Sequence, residues 1–345
     1  MSGKRYHFIP PFLQEGFASH TSGGNTFTWV YPKEGAAFNA NIIDVGVEGQ
    51  FDTENQDTEA GDFITLAEGT FSGLITDLRA GKSSRLSDPL LPQLFAHLEI
   101  RTRHLRENVL RAGEFLICNF PDWMSDEEAF SDFLTRKFQS NPSFIHDAVL
   151  KTAADRQLTP QESAALTLFF KALVPVLIER QKPDFARFAA ALRSALPETP
   201  RDAMKSRHVE TSKASIAPGL RLELYESLTY TIDHATEESL ILGDSVILFC
   251  VDGATRYYKA FLDGEDELNS VILPLDSGKC LVGTRSPVAG VPRGLRDTIA
   301  RCSLEHFVSH EKSSANELLK VQIGADAALL SEAKLERILT EVSQS

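Results

Sequence analysis

The chain has few of the residues and segments that mark export, membrane insertion or metal binding. Its four cysteines are widely spaced and form no C-x-x-C pair; they are Cys118, Cys250, Cys280 and Cys302. This spacing is typical of reduced structural thiols rather than of a disulfide framework or a zinc knuckle. The apolar run 164–178 contains a threonine, a lysine and a proline and is shorter than the roughly 20 residues that cross a bilayer. Residues 1–8 lack the apolar core of an export signal. We therefore expect a soluble, cytoplasmic protein with no membrane partner.

Positive charge is also scarce. The sequence has 35 basic and 48 acidic side chains, a formal net charge of −13 at pH 7. A surface of that sign repels polyphosphates, so nucleic acid could bind only through a local basic patch. The phosphate-binding motifs G-x-x-x-x-G-K-[ST] and G-x-G-x-x-G after a strand are absent, as is the esterase motif G-x-S-x-G. The sequence thus gives no local support for a P-loop protein, a dinucleotide-binding protein or an ordinary esterase.

The composition is that of a folded globular protein. Hydrophobic residues make up 42% and charged residues 24% of the 345 positions, which is close to the globular average. A chain of this length forms one large domain or two ordinary ones. We expect a single composite domain over residues 1–310 and a C-terminal helical extension over 311–345.

Helical spacing of apolar residues dominates the first two thirds of the chain. It predicts a helix over 57–79 and a helical middle over about 88–196. Thr159 and Glu162 have the spacing of a capping box, and Pro160 stands at the first helical position, where proline is best tolerated. Ser125 and Glu128 have the same spacing, so a second helix is predicted to begin there.

A period of two residues marks the strands. It predicts an N-terminal strand over 26–31 and an antiparallel sheet over about 218–285, where the alternation begins at Leu220, Leu222 and Leu224. Helical patterns return over 293–309 and 331–342. The fold class predicted is α+β, with an N-terminal strand, a helical middle and a C-terminal antiparallel sheet with terminal helices.

Six segments carry a resemblance to a known family. In chain order they are 6–18 (YHFIPPFLQEGFA), 29–31 (WVY), 99–103 (EIRTR), 240–245 (LILGDS), 273–275 (LPL) and 307–309 (FVS). Their order and spacing resemble the bacterial family catalogued as domain of unknown function 4238, of which the first segment is the most specific mark. Glu99 stands where that family often has glutamine, Gly243 where it has serine, and Val246 near its usual proline. The resemblance implies a fold and a pair of candidate site residues, and it supplies no reaction.

The candidate catalytic residues are His7 and Asp244. A histidine can act as an acid, a base or a metal ligand near neutral pH, but it can equally anchor an aromatic N-terminal arm by hydrogen bonding. Asp244 follows an apolar strand, where a carboxylate can hold a metal or accept a proton, but an aspartate beside a glycine is also common in turns. A divalent metal is therefore a candidate cofactor.

Arg101 and Arg103 are the candidate substrate-binding residues. They belong to the densest basic stretch of the chain, which also contains His97, His104, Arg106 and Arg111. One face of a helix here could bind phosphate, as in a nucleic-acid substrate. The alternative is a solvated helix whose charges pair with nearby glutamates, with Arg101 buried and structural.

His306 and His310 have the four-residue spacing of a metal-binding pair on a helix. Phe307 stands where a zinc protease would have glutamate, which disfavours that interpretation.

Two functional hypotheses follow from these residues. The first is a hydrolase-type enzyme, such as a nuclease or a toxin-like defence effector, in which His7 and Asp244 carry the chemistry and Arg101 binds an anionic substrate. The second is a non-catalytic module that binds another protein, in which the same residues are structural. The acidic composition fits the second hypothesis at least as well.

Overall fold

A computed structural model describes residues 6–48, 58–141, 145–147, 149–151, 158–195, 219–235, 238–252, 257–263, 266–285, 293–327 and 329–344. These residues form helices and antiparallel sheets, so the fold class is α+β. The polar connector expected after residue 196 lies outside the described residues.

The helices follow the predicted helical spacing closely in the middle of the chain. They are α1 Pro11–Gln14, α2 Thr58–Arg79, α3 Leu90–Arg101, α4 Arg103–Met124, α5 Glu127–Ser140, α6 Pro160–Gln181, α7 Phe185–Ala195, α8 Gly219–Glu226, α9 Leu295–Cys302, α10 Ser314–Leu319 and α11 Glu332–Gln344. The Thr159 capping box is confirmed: Thr159 Oγ1 accepts from the backbone N–H of Glu162, and the Glu162 carboxylate accepts from the N–H of Thr159. The second predicted start is one residue off, because Asp126 caps α5 in place of Ser125.

In the part of the chain that the structure describes, the strands form three antiparallel sheets. They are β1 Tyr6–His7, β2 His20–Ser22, β3 Asn25–Pro32, β4 Phe38–Asn41, β5 Val47–Glu48, β6 Thr229–His234, β7 Leu242–Gly243, β8 Leu248–Asp252, β9 Tyr257–Lys259, β10 Glu267–Asp276, β11 Lys279–Thr284 and β12 His306–Ser309. The strand orders are β1-β5, β6-β11-β10-β8-β9, and β2-β3-β12-β7. In the third sheet β4 also pairs with β3. The N-terminal strand and the antiparallel sheet were both predicted.

The third sheet joins distant parts of the sequence. β12 pairs with β3, so that Val308 lies opposite Val30, and β12 also pairs with β7, so that Phe307 lies opposite Gly243. Three of the six segments that carry the family resemblance therefore occupy neighbouring strands. The rings of Tyr31 and Phe307, on neighbouring strands of this sheet, stack in the core with their centroids 5.0 Å apart.

The chain separates into two compact units, which differs from the single domain expected over 1–310. The first unit contains Met1–Val109 and Lys205–Leu329, and the second contains Leu110–Met204 and Leu330–Ser345. The core of the first unit contains residues of helices α1, α2 and α3 and of strands β3, β6, β8, β10, β11 and β12. The core of the second unit is helical and is built on Phe130, Ile178 and Phe185, with the rings of Phe130 and Phe185 in edge-to-face contact.

Two predictions of local structure were wrong. The alternation at 220, 222 and 224 was expected to begin a strand, but residues Gly219–Glu226 form helix α8, which packs on α3. The helical pattern over 293–309 ends at Cys302, and His306–Ser309 is strand β12. In both segments, pairing with a distant element overrides a short local pattern.

Candidate functional site

Arg101 ends α3 and is buried, with only 4% of its surface exposed. Its Nη1 donates to Glu68 of α2 and, at 3.1 Å, to His97 Nε2 one helical turn earlier. Its Nη2 donates to the backbone carbonyl of His7 in β1. The guanidinium group therefore joins α2, α3 and the N-terminal strand, as the structural alternative for Arg101 requires.

His97 is a buried neutral acceptor in this cluster. Burial, together with the positive charge of Arg101, lowers the pKa of His97 to about 3. At neutral pH the ring is uncharged, and because an arginine can only donate, Nε2 accepts and the proton sits on Nδ1. Protonation of His97 would place two cations side by side in the core.

Thr102 separates α3 from α4 and positions the second arginine. Its backbone is extended, its hydroxyl donates to the Glu99 carbonyl at 2.9 Å and accepts from the N–H of Leu105 at 3.2 Å, capping α4. Arg103 then begins α4, lies over the ring of Phe8 at 5.6 Å and pairs with Glu305 at 2.6 Å. Arg103 is only partly buried and contacts the N-terminal arm and the segment before β12.

The expectation of a single basic, solvated helix face is wrong. The stretch is divided between two helices, and His97, Arg101, His104 and Arg106 are all buried. Glu99, the nearest candidate counter-charge, is buried as well. A phosphate could reach only the more exposed members of the stretch, Arg103 and Arg111.

Asp244 follows β7 and is completely buried. Its Oδ1 accepts from the backbone N–H of Leu304 at 2.6 Å, and its Oδ2 accepts from those of Glu305 at 2.7 Å and His306 at 3.2 Å. Its own N–H donates to the carbonyl of His306 at 3.1 Å. The carboxylate therefore binds the backbone of the segment between α9 and β12, and not its own turn as the sequence suggested.

The turn after Asp244 is strained. Val246 has φ 62°, and the N–H of Ile247 donates to the carbonyl of Ser245 at 2.7 Å, which closes a three-residue γ-turn with positive φ. This conformation is uncommon, and a β-branched residue rarely adopts it. Beside it, a Cβ at Gly243 would collide with Oγ of Ser303, the residue that follows α9, which explains why this chain has glycine there. The surrounding packing maintains the strain.

Two histidines lie near Asp244. The ring of His306 is largely buried, with Nδ1 at 3.7 Å from Asp244 Oδ2, a distance too long for a hydrogen bond. His104 of α4 is fully buried. Burial lowers the pKa of both rings, and the charge of Asp244 opposes that shift in each case. The charge of Asp244 therefore acts on both rings, and in each the effect of burial on the pKa is the larger one.

The segments that contain His7 and Asp244 meet through their neighbours. Phe8 packs edge-on against His306, with ring centroids 6.0 Å apart, and His306 in turn lies beside Asp244. Arg103 contacts both Phe8 and Glu305. Three of the segments that carry the family resemblance, 6–18, 99–103 and 240–245, therefore lie close together in the first unit.

Sequence reasoning missed two further polar clusters of the first unit. Arg79 at the end of α2 donates to the backbone carbonyls of Leu275, Phe12 and Leu13, at 2.7 to 2.9 Å. Gly16 is needed there because a side chain would meet the Leu275 carbonyl and Arg79. The second cluster joins Glu99 of α3 to Tyr225 and Arg221 of α8. Gly16 in the opening motif was a usable signal for the first cluster. The second cluster had no such signal, because the segment that became α8 was predicted as a strand.

The described residues give the histidine pair little support as a metal site. His306 is the first residue of strand β12 and His310 follows the strand, so the two do not share a helical turn. Across the part of the chain that the structure describes, no group of three or more histidine, cysteine, aspartate or glutamate side chains is placed to hold a metal ion.

Comparison with known proteins adds no relative. No protein-family model, curated protein or solved structure matches the chain.

Proposed function

We propose that the chain is a non-catalytic module that binds another protein, and that His7, Arg101 and Asp244 hold its fold together. The observation that carries this proposal is the environment of Asp244, whose two buried carboxylate oxygens accept three backbone N–H groups. A general base or a metal ligand must present an oxygen to its substrate or ion. This carboxylate is instead committed to the segment 304–306.

Arg101 supports the same conclusion. Its guanidinium group already binds a carboxylate, a neutral imidazole and a backbone carbonyl, and it is buried. An anionic substrate would have to displace Glu68 or the His7 carbonyl, and so separate the N-terminal strand from α3. The hydrolase hypothesis therefore has less support, because two of its candidate residues have structural partners.

Charge also favours a protein partner over a polyanion. The net charge is −13, and four of the six basic residues in the densest basic stretch are buried. Little of that stretch remains to attract phosphate.

The decisive variant is Asp244→Asn, which keeps the shape of the side chain and removes its charge. We expect no Asp244-dependent hydrolysis of single- or double-stranded nucleic acid or of nitrophenyl esters, with or without Mg²⁺ or Mn²⁺. We expect a loss of stability of ~3 kcal/mol, because three backbone N–H groups lose a buried, charged acceptor. Asp297→Asn, an exposed aspartate in the same unit, is the control and should change stability little. Turnover by the wild type that vanishes in an Asp244→Asn variant of unchanged melting temperature would overturn the proposal.

A further inference from the structure

We infer that the partner is a second copy of this chain, packed antiparallel through one side of α6. This inference rests on the proposed function and names its partner. The surface concerned, called here the apolar face of α6, is formed by Ala165, Leu168, Phe169, Ala172 and Val176.

The apolar face of α6 is exposed although it consists of core-type residues. Leu168 is 69%, Phe169 59% and Val176 61% exposed. The opposite side of the helix contributes to the core of the second unit, where Ile178 is buried and Val174 packs against the cluster of Phe130, Ile178 and Phe185. A helix that is apolar on all sides is ordinarily buried on all sides. The second side of α6 therefore requires a cover.

A membrane is a poor cover. The segment Pro160–Ala195, which contains α6 and α7, is long and apolar enough by length and composition to cross a bilayer. However, its apolar run 164–178 rises only about 22 Å, against about 30 Å of hydrocarbon, and Lys171 stands in its middle. A helix lying on an anionic bilayer is normally rich in Lys and Arg. In α6 Glu162 and Glu179 balance Lys171 and Arg180.

The spacing of the apolar face suits a second copy of itself. In a twofold interface residue i contacts residue j, and j contacts i. Leu168 and Val176 stand four residues on either side of Ala172. An antiparallel crossing centred on Ala172 therefore sets Leu168 of each copy against Val176 of the other. The small side chain of Ala172 lets the two helices approach closely at the axis.

The exposed charges at the ends of α6 select the antiparallel direction. Glu162 lies in the first turn of the helix and Arg180 in the last. Antiparallel packing brings Glu162 of each copy within one turn of Arg180 of the other, and also places the helix dipoles in opposition. Parallel packing would set Glu162 against Glu162. Glu179, beside Arg180 in the last turn, pairs at 3.5 Å with Lys182 of its own chain, so the charges favour the antiparallel orientation.

Sedimentation equilibrium of the full chain in the micromolar range tests the association. We expect a dimer for the wild type, and a dissociation constant raised at least a hundredfold by Leu168→Glu or Phe169→Glu, with an unchanged circular dichroism spectrum and melting temperature. Leu318→Glu is the matched control, since Leu318 is 75% exposed on α10 of the first unit. A monomeric wild type, or a dimer that Leu168→Glu leaves intact, would overturn the inference.

Oxidative cross-linking tests the direction. Cys118 is exposed, so Cys118→Ser serves as the background. Ala172→Cys should form an intermolecular disulfide, because the two copies of residue 172 meet at the axis. Gln161→Cys should not, because antiparallel packing separates the two copies of residue 161 by ~33 Å at ~1.5 Å per residue. Cross-linking at both positions would indicate parallel helices, and cross-linking at neither would indicate another surface; each result contradicts the inference.

Co-sedimentation with vesicles of phosphatidylcholine and phosphatidylserine tests whether a membrane, and not a second copy, binds the apolar face of α6. Vesicle binding by a monomeric chain that Leu168→Glu abolishes would replace the second copy by a membrane. A monomeric chain without Asp244-dependent turnover would contradict the dimer and leave the proposed function standing. Asp244-dependent turnover would contradict the proposed function whatever the oligomeric state.

Discussion

The hydroxyl of Tyr225 donates a 2.7 Å hydrogen bond to Oε2 of Glu99, in the core of the first unit. The other oxygen of Glu99 lies 3.4 Å from Nε of Arg221. Burial raises the pKa of Glu99, an effect that Arg221 and Tyr225 partly offset, and burial also raises the pKa of Tyr225. This contact fastens α8 to α3.

Tyr225→Phe should lower the free energy of unfolding by about 1 to 3 kcal/mol, because a buried carboxylate oxygen loses its donor. Glu99→Gln should remove much of that penalty in the double variant, since an uncharged amide costs less to bury. Urea unfolding of the two single variants and the double variant measures this coupling. Additive losses would show that the two side chains do not interact.

Arg101→Lys should destabilise the chain by about 2 to 4 kcal/mol, because an ammonium group cannot reproduce the planar fork that binds Glu68, His97 and the His7 carbonyl. Arg103→Lys is the control. Its partner Glu305 is more than half exposed, so the change should cost less than about 1 kcal/mol. Equal melting temperatures for wild type and Arg101→Lys would contradict the structural role of Arg101.

Stability should fall as the pH falls below the ordinary pKa of histidine. Because burial lowers the pKa of His97 from 6.5 to about 3, only the unfolded state takes up its proton between those values. The stabilisation is complete above pH 6.5 and should decrease toward pH 3, by roughly 1 kcal/mol per pH unit from this residue. His97→Gln keeps an acceptor for Arg101 and should show a shallower decline in urea midpoint between pH 7 and about pH 5. An identical pH dependence would contradict this account.

Thr159→Ala should destabilise the second unit by about 1 kcal/mol, because α6 loses its capping hydroxyl. Thr167→Ala is the matched control, since the Thr167 hydroxyl bonds only to the Ser163 carbonyl within the same helix. Alanine has the higher helix propensity there, so this change should be neutral or stabilising. Thermal unfolding followed by circular dichroism compares the two, and an equal loss in both would show that the cap contributes nothing.

Elements whose signals are local can be predicted from the order of the amino acids alone. The hydroxyl, proline and carboxylate at 159, 160 and 162 specify a helix start because all the partners lie within one turn. The alternation at 26–31 predicted β3, in which Thr28, Val30 and Tyr31 are buried. The α+β class followed from such signals, and so did the helical middle.

The partners of those elements could not be predicted in this way, because the contacts of the folded chain join residues far apart in the sequence. Residues 219–226 became a helix because Tyr225 reaches Glu99, 126 positions away. Asp244 became a backbone anchor because residues 304–306 return to it, and Arg101 became buried because Glu68 and the His7 carbonyl surround it. The local sequence around an aspartate or an arginine is compatible with both a catalytic and a structural role. The free energy that separates the two roles comes from partners whose distance in sequence no local pattern encodes.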